Sequence, residues 1–127
     1  YYFMYGQDLK EVIKSYTKLT GKPIMPPNWA LGWSQSRGML VNEELTREIA
    51  AEYRKRDIPI DIIYQDIGWV EGLQNFEWRK DRYDNPKKML SDLAEDGFKV
   101  IISQDPVISP AVEDQWQEAA KKGFLAT

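Results

Sequence analysis

The sequence predicts an α/β fold in which parallel strands alternate with helices. Strand-like apolar runs near 29–34, 60–66 and 98–103, and another from 124 onward, are separated by segments with helical spacing. Ile60 to Tyr64 is nearly continuous apolar sequence interrupted by one acid, Asp61, as expected of a parallel strand buried on both faces. The second and third of these runs end on an acid, in Gln65-Asp66 and Gln104-Asp105, and ligands of α/β folds meet the protein at such carboxyl ends.

The elements follow in order. Asp8 and Glu11 form a capping box for a first helix, with Leu9, Val12, Ile13, Tyr16 and Leu19 on one face and Gly21 as its stop. Pro23, Pro26 and Pro27 enforce an extended connection. Trp29 to Trp33 reads as a short strand leading into a polar loop, Ser34-Gln35-Ser36-Arg37-Gly38. Asn42 caps a second helix, Glu43 and Glu44 favour its dipole, and Leu45, Ile49 and Tyr53 mark its buried stripe. Pro59 stops it and starts the strand 60–66. The connection from Gly68 to about Asp84 is long and aromatic, with Trp69, Phe76, Trp78 and Tyr83; loops of this length are usually functional or held by their own side chains. Asn85-Pro86 opens a third helix whose core face is Met89, Leu90 and Leu93, closed by Gly97. The strand 98–103 follows, then a fourth helix from about 112 to 122 ending at Gly123.

Strands alternating with helices imply right-handed parallel crossovers. Three strand–helix units and a nascent fourth strand are too few to close an eight-stranded barrel and also suit a small open doubly wound sheet. No glycine-rich phosphate fingerprint follows a strand, which argues against nucleotide binding. The chain opens inside an aromatic run, Tyr1 to Tyr5, and stops just after Gly123-Phe124-Leu125, so it reads as an excised piece of a larger protein. Open strand edges would then favour self-association of the isolated piece.

The 127 residues are 43% hydrophobic and 29% charged, a globular composition. A net charge of −3 gives no electrostatic footprint for nucleic acid or an anionic membrane, and no apolar run approaches the ~20 residues of a bilayer span. The sequence contains no Cys and no His, which removes thiol chemistry, serine–histidine triads and ordinary zinc sites. Neither a metal nor a cofactor is expected. Acid–base chemistry must rest on Asp, Glu, Tyr or Lys.

Asp66 is the leading candidate residue. A carboxylate there accepts hydrogen bonds from hydroxyls, and Trp69 offers an indole face to a sugar ring, so the pattern suits a neutral polyhydroxylated ligand. The bland alternative is that Asp66 caps the following loop. Asp105 ends the next strand, although Asp-Pro also shapes turns. Asp66 and Asp105 are candidates for the paired carboxylates of glycoside hydrolysis, but spacing does not establish the pair. Arg37 is placed to pair with one of these acids, either within a site or as a plain structural ion pair. Trp33, Trp69 and Trp78 are candidates for stacking on sugar or for the core.

These motifs together resemble glycoside hydrolase family 31, the family of α-glucosidases and α-xylosidases. Pro26-Pro27-Asn28-Trp29-Ala30-Leu31-Gly32-Trp33-Ser34-Gln35-Ser36-Arg37 resembles its first barrel strand, Ile60 to Trp69 its second, and Gly97-Phe98-Lys99-Val100 through Asp105-Pro106 its third. Phe76-Glu77-Trp78, Tyr83, Asn85-Pro86 and Met89 are similar to the loop and helix start between them. The resemblance covers nearly the whole chain and implies a partial (β/α)8 TIM barrel, its first three to four strand–helix units, preceded by a linker helix. Residues 1–28 would be the end of a preceding β-sandwich and that helix; residues 29–127 would be the N-terminal portion of the barrel.

The resemblance also implies a retaining α-glycosidase acting on terminal glucose-like or xylose-like residues. Its nucleophile and acid/base aspartates lie on later strands, the nucleophile in a Trp-x-Asp-Met-x-Glu-type motif that does not occur here, so no catalytic residue is expected in this chain. Its expected partners are the carbohydrate substrate and the rest of its own polypeptide. Asp66 matches an aspartate that binds glycone hydroxyls in the −1 subsite, and Ile67 and Ser103 match residues lining it. Trp33, Arg37, Trp69 and Asp105 complete the candidate substrate-binding set, with Asp105 matching a residue of structural role. Gly38-Met39 departs from the aromatic residue that many members carry after the arginine, and Ser103 is small where some place Trp or Ile. A non-catalytic carbohydrate-binding or degenerate barrel domain is the alternative.

Overall fold

The structure, a computed structural model, describes residues 1–38, 42–72, 74 and 76–125. Helix α1 spans Leu9–Thr20, strand β1 Ser34–Gln35, helix α2 Glu43–Lys55, strand β2 Ile62–Gln65, helix α3 Pro86–Glu95, strand β3 Lys99–Ile102 and helix α4 Glu113–Lys121. The three strands form one parallel sheet in the order β1-β2-β3. Ser34 pairs with Ile62 and Gln35 with Ile63; Ile62 to Gln65 pair with Lys99 to Ile102.

The helix starts follow from their caps. Asp8, Asn42 and Asn85 each accept a hydrogen bond through the side chain from the backbone N–H three residues on, at Glu11, Leu45 and Lys88. Pro86 occupies the first turn of α3, where no N–H is missed. At the far end of α2, Asp57 takes a left-handed φ of 54°, turning the chain before Pro59 can act.

The core lies on one face of the sheet, under α2 and α3. Ile60, Ile63, Met89, Leu93, Phe98, Trp69, Val70, Tyr83 and Ala50 form it, and Met89 and Phe98 are essentially sealed from solvent. The predicted stripe of α2 is displaced by one residue. Thr46 and Ala50 are its buried positions, whereas Leu45 and Ile49 are half-buried at the flank. Arg54 fastens the lower end of the same layer: its guanidinium stacks 3.9 Å from the Phe98 ring centroid and donates to the carbonyls of Asp96 (3.0 Å) and Ile60 (3.4 Å).

The first strand differs from its sequence expectation. Asn28–Leu31 is a 3-10 turn, with Ala30 N–H donating to Pro27 and Gly32 N–H to Trp29, and the strand forms on Ser34–Gln35, in the segment expected to be a polar loop. Five apolar residues cannot distinguish a strand from a turn by period alone, and β2 decides the matter by meeting the chain later, through Asp61 and Ile62 N–H groups on the Trp33 carbonyl. A Cβ at Gly32 would meet the Asp61 side chain, so a larger residue at this crossing requires that carboxylate to move. A second difference concerns α1. It is capped as expected, yet Leu9, Ile13, Tyr16 and Leu19 are all more than half exposed. The expected strand from 124 is not formed at Phe124 or Leu125, and its remainder, like Met39, lies outside the described residues.

Candidate functional site

Strand alternation sorts the candidate residues onto two faces of the sheet. Ile63 packs into the core beside Val100, and Gln65 follows on the same helix-facing side. Tyr64 and Asp66 therefore point to the opposite, inward face. Ser34 and Ser36 join them from β1, and Ile101 and Ser103 from β3, by the register of the two ladders.

Asp66 stands where β2 ends and a 3-10 turn, Ile67–Trp69, begins. Its carboxylate caps that turn: Oδ1 accepts from the Ile67 N–H at 2.7 Å. Oδ2 accepts from the Ser36 hydroxyl, also at 2.7 Å. The Ser36 hydroxyl and then the Ile67 N–H hold the Asp66 carboxyl below its ordinary value, against a smaller opposing effect of burial. The group is ionised at neutral pH, half-buried, and retains lone pairs on both oxygens. What it can do chemically is accept hydrogen bonds from a ligand rich in O–H groups.

The turn beneath Asp66 is rigidly supported. Trp69 is buried and its indole N–H donates to the Ser103 carbonyl at 2.6 Å, linking the end of β2 to the end of β3. Ser103 N–H in turn donates to the Gln65 carbonyl at 2.9 Å. Trp69, Trp78 and Tyr83 stack edge to face, with centroids 5.0 and 4.8 Å apart. Trp69 thus packs in the core rather than offering a ring face to sugar. On the helix-facing side, Gln65 is fully buried; it accepts from Tyr83 OH (2.8 Å) and donates to Thr46 Oγ1 (3.2 Å), which donates to the Asn42 carbonyl (2.7 Å). Burial pushes the Tyr83 phenol up to about 12, so it remains a donor. Among the described residues, no buried side-chain polar atom lacks a partner.

Other candidates fall elsewhere. Trp33 and Arg37 line the helix-facing side with Gln35, across the sheet from Asp66. There they border an open cleft of about 880 Å³, lined also by Ile49, Tyr53 and Ile58 and not by Asp66. Trp33 donates to Tyr53 OH (3.1 Å), and Tyr53 to Gln35 Oε1 (2.8 Å). Among the described residues, Arg37 makes no ion pair with Asp66 or Asp105. Asp105 is exposed beyond β3, and its backbone carbonyl accepts from Gln104 Nε2 at 3.1 Å. The lowering of Asp66 comes from the Ser36 hydroxyl and the Ile67 N–H, and no second carboxylate contributes to it. Ile67 lies half-buried in the turn itself. Ser36 had no place among the expected residues; its signal lay in the pairing register, which a single sequence does not reveal. Among the described residues, no cluster of acids is built to hold a metal ion, and no helix is long and apolar enough to cross a membrane.

With an inward acid at the end of a parallel strand established, comparison with known proteins becomes informative. The family description "Glycosyl hydrolases family 31 TIM-barrel domain" matches residues 23–127. The chain belongs to glycoside hydrolase family 31. The three-stranded parallel sheet is accordingly part of a TIM barrel. A family 31 dextranase from Flavobacterium johnsoniae, solved in complex with glucose, is 64% identical and superposes with a TM-score of 0.87 over 97% of this chain and 15% of that one. A family 31 α-xylosidase from a soil metagenome, complexed with xylose, is 26% identical with a TM-score of 0.73, over 80% of this chain and 15% of that one. Alpha-glucosidase 2 of Bacillus thermoamyloliquefaciens is 39% identical over 114 residues, 90% of this chain and 14% of that protein. The chain therefore spans about a seventh of the length of such relatives.

Proposed function

We propose that this chain supplies part of the −1 subsite of a retaining α-glycosidase acting on terminal α-linked glucose-like or xylose-like residues. Asp66 accepts hydrogen bonds from glycone hydroxyls, and Ile67 and Ser103 form the adjoining wall. The nucleophile and the acid/base belong to polypeptide outside residues 1–127, because the Trp-x-Asp-Met-x-Glu-type motif that carries the family's nucleophile does not occur in this chain. The observation that carries this reading is the Asp66 carboxylate: inward-facing, ionised, fixed by two donors and still open to solvent. The 64% identity to a dextranase solved with glucose favours a glucose-like glycone over a xylose-like one.

On this reading residues 1–28 lead into the barrel from a preceding unit, and Asp105 shapes the turn after β3. The apolar cleft beside β1 is then a packing seam for the remaining barrel elements. Residues Trp33 and Arg37, on that seam, act through the fold rather than on sugar. An isolated 1–127 chain with open sheet edges is expected to self-associate.

The test is hydrolysis of an aryl α-glucoside by the whole protein and by the isolated chain. Asp66→Asn in the whole protein should lower kcat/KM by a factor of about a hundred, the scale of losing charge-assisted hydrogen bonds. The isolated chain should show no turnover. Hydrolysis by the isolated chain that vanishes on Asp66→Ala would overturn the assignment of the chemistry to other polypeptide.

A further inference from the structure

We propose that Ser36 is the positioning residue for Asp66, and that the Ser36–Asp66 pair is a device that fixes the carboxylate so that its remaining lone pairs accept from glycone hydroxyls. The inference rests on the glycone-binding reading of Asp66. The Ser36 hydroxyl and the Asp66 carboxylate are 2.7 Å apart, and an ionised carboxylate has no proton to give, so the serine is the donor. That single proton is spent on Oδ2. What remains on the pair is one set of free lone pairs on each carboxylate oxygen and the lone pairs of Ser36 Oγ.

The geometry is doubly anchored. The Ile67 N–H fixes Oδ1 from the chain side, and Ser36 fixes Oδ2 from the neighbouring strand. Neither anchor alone sets the rotation of the carboxylate plane; the two together do. Ser36 reaches across because it shares the inward face with Tyr64 and Asp66, on a strand whose neighbouring residue Gln35 is held on the other face by Tyr53. By register, Ser36 just past β1, Tyr64 on its own strand and Ser103 just past β3 share this face with Asp66. No charged side chain contributes to holding Asp66 ionised; Arg37 lines the opposite face and Asp105 lies exposed past β3. Ser36 is itself exposed, so the device sits at the open rim rather than in the core.

The experiment compares wild type, Ser36→Ala, Ser36→Thr and Asp66→Asn in the whole protein, using p-nitrophenyl α-glucoside, with thermal melting as a control for folding. Ser36→Ala should lower kcat/KM about five- to tenfold at neutral pH, less than a fully lost charge-assisted bond because water reaches the site. Ser36→Thr, which keeps the hydroxyl, should restore most of it. The ratio of wild-type to Ser36→Ala kcat/KM should widen as pH falls from about 7 to about 4, because Asp66 without its serine donor protonates earlier. Titration of any other group common to both proteins cancels in that ratio. An unaffected Asp66→Asn would sink the glycone-binding reading and this inference with it. A damaged Asp66→Asn beside a wild-type-like Ser36→Ala would overturn the role of Ser36 alone. A Ser36→Ala deficit that threonine does not restore, or that is flat across pH, would show a merely structural residue and also overturn it.

Discussion

Gln65 and Asp66 are adjacent, yet they live under opposite rules. Gln65 faces the helices, is wholly buried, and is consumed by Tyr83 and Thr46. Asp66 faces inward, touches two donors, and keeps acceptor capacity for something else. Around Gln65 the helix-facing side is a closed core whose polar atoms are paired, whereas the inward side is a rim whose polar atoms are oriented but unsaturated. Saturated and open polar groups are thus divided between the two faces of one strand, and each can be perturbed without the other.

The largest stability effects should come from the closed face. Met89→Ala or Phe98→Ala empties space beneath α3 and should cost about 2–5 kcal/mol, read by denaturant unfolding. A loss below about 1 kcal/mol would mean that this face is not the core. Tyr83→Phe comes next. It removes the donor on Gln65 Oε1 while keeping the ring against Trp78, for about 1–2 kcal/mol. Wild type should also lose stability at high pH. The phenol is raised in the folded state, so its contribution is intact below the ordinary tyrosine value of about 10 and disappears as pH rises towards about 12. Tyr83→Phe should abolish that alkaline loss.

On the open face the order reverses. Asp66→Asn should leave the melting temperature nearly unchanged while removing sugar recognition, and a large drop in melting temperature would erase the distinction between the faces. The Asp66 carboxyl is held low, so its small stabilising contribution is present above the ordinary carboxylate range and fades as pH falls through it. Smallest of all, Lys122→Ala, which breaks an exposed pair with Glu118, should not measurably change unfolding.

The legible part of this fold was the local part. Asp8, Asn42 and Asn85 announce helix starts because the capping bond spans three residues and needs no tertiary partner. Asp66 was legible as a rim residue because strand ends and acids are both visible in sequence. The remainder depended on pairing. The one-residue displacement of the α2 stripe to Thr46 and Ala50, the late start of β1 at Ser34, and the assignment of Trp33 and Arg37 to the helix-facing side all follow from which residue sits beside which across the ladder. Trp69 misled for a related reason: an indole next to an acid at a strand end serves equally well as a strut, and its hydrogen bond to Ser103 decides for the strut. Ser36 was hidden because a serine in a polar stretch carries no signal until its neighbour is known.

Arg54 has a consequence for how such a protein diversifies. One planar cation joins a helix terminus, an aromatic ring and two separate chain segments at the end of the sheet remote from Asp66. Lysine, with a single nitrogen, cannot hold all three at once. With that end clamped, exchanges along the opposite margin leave these contacts in place, so that margin can vary without re-founding the scaffold.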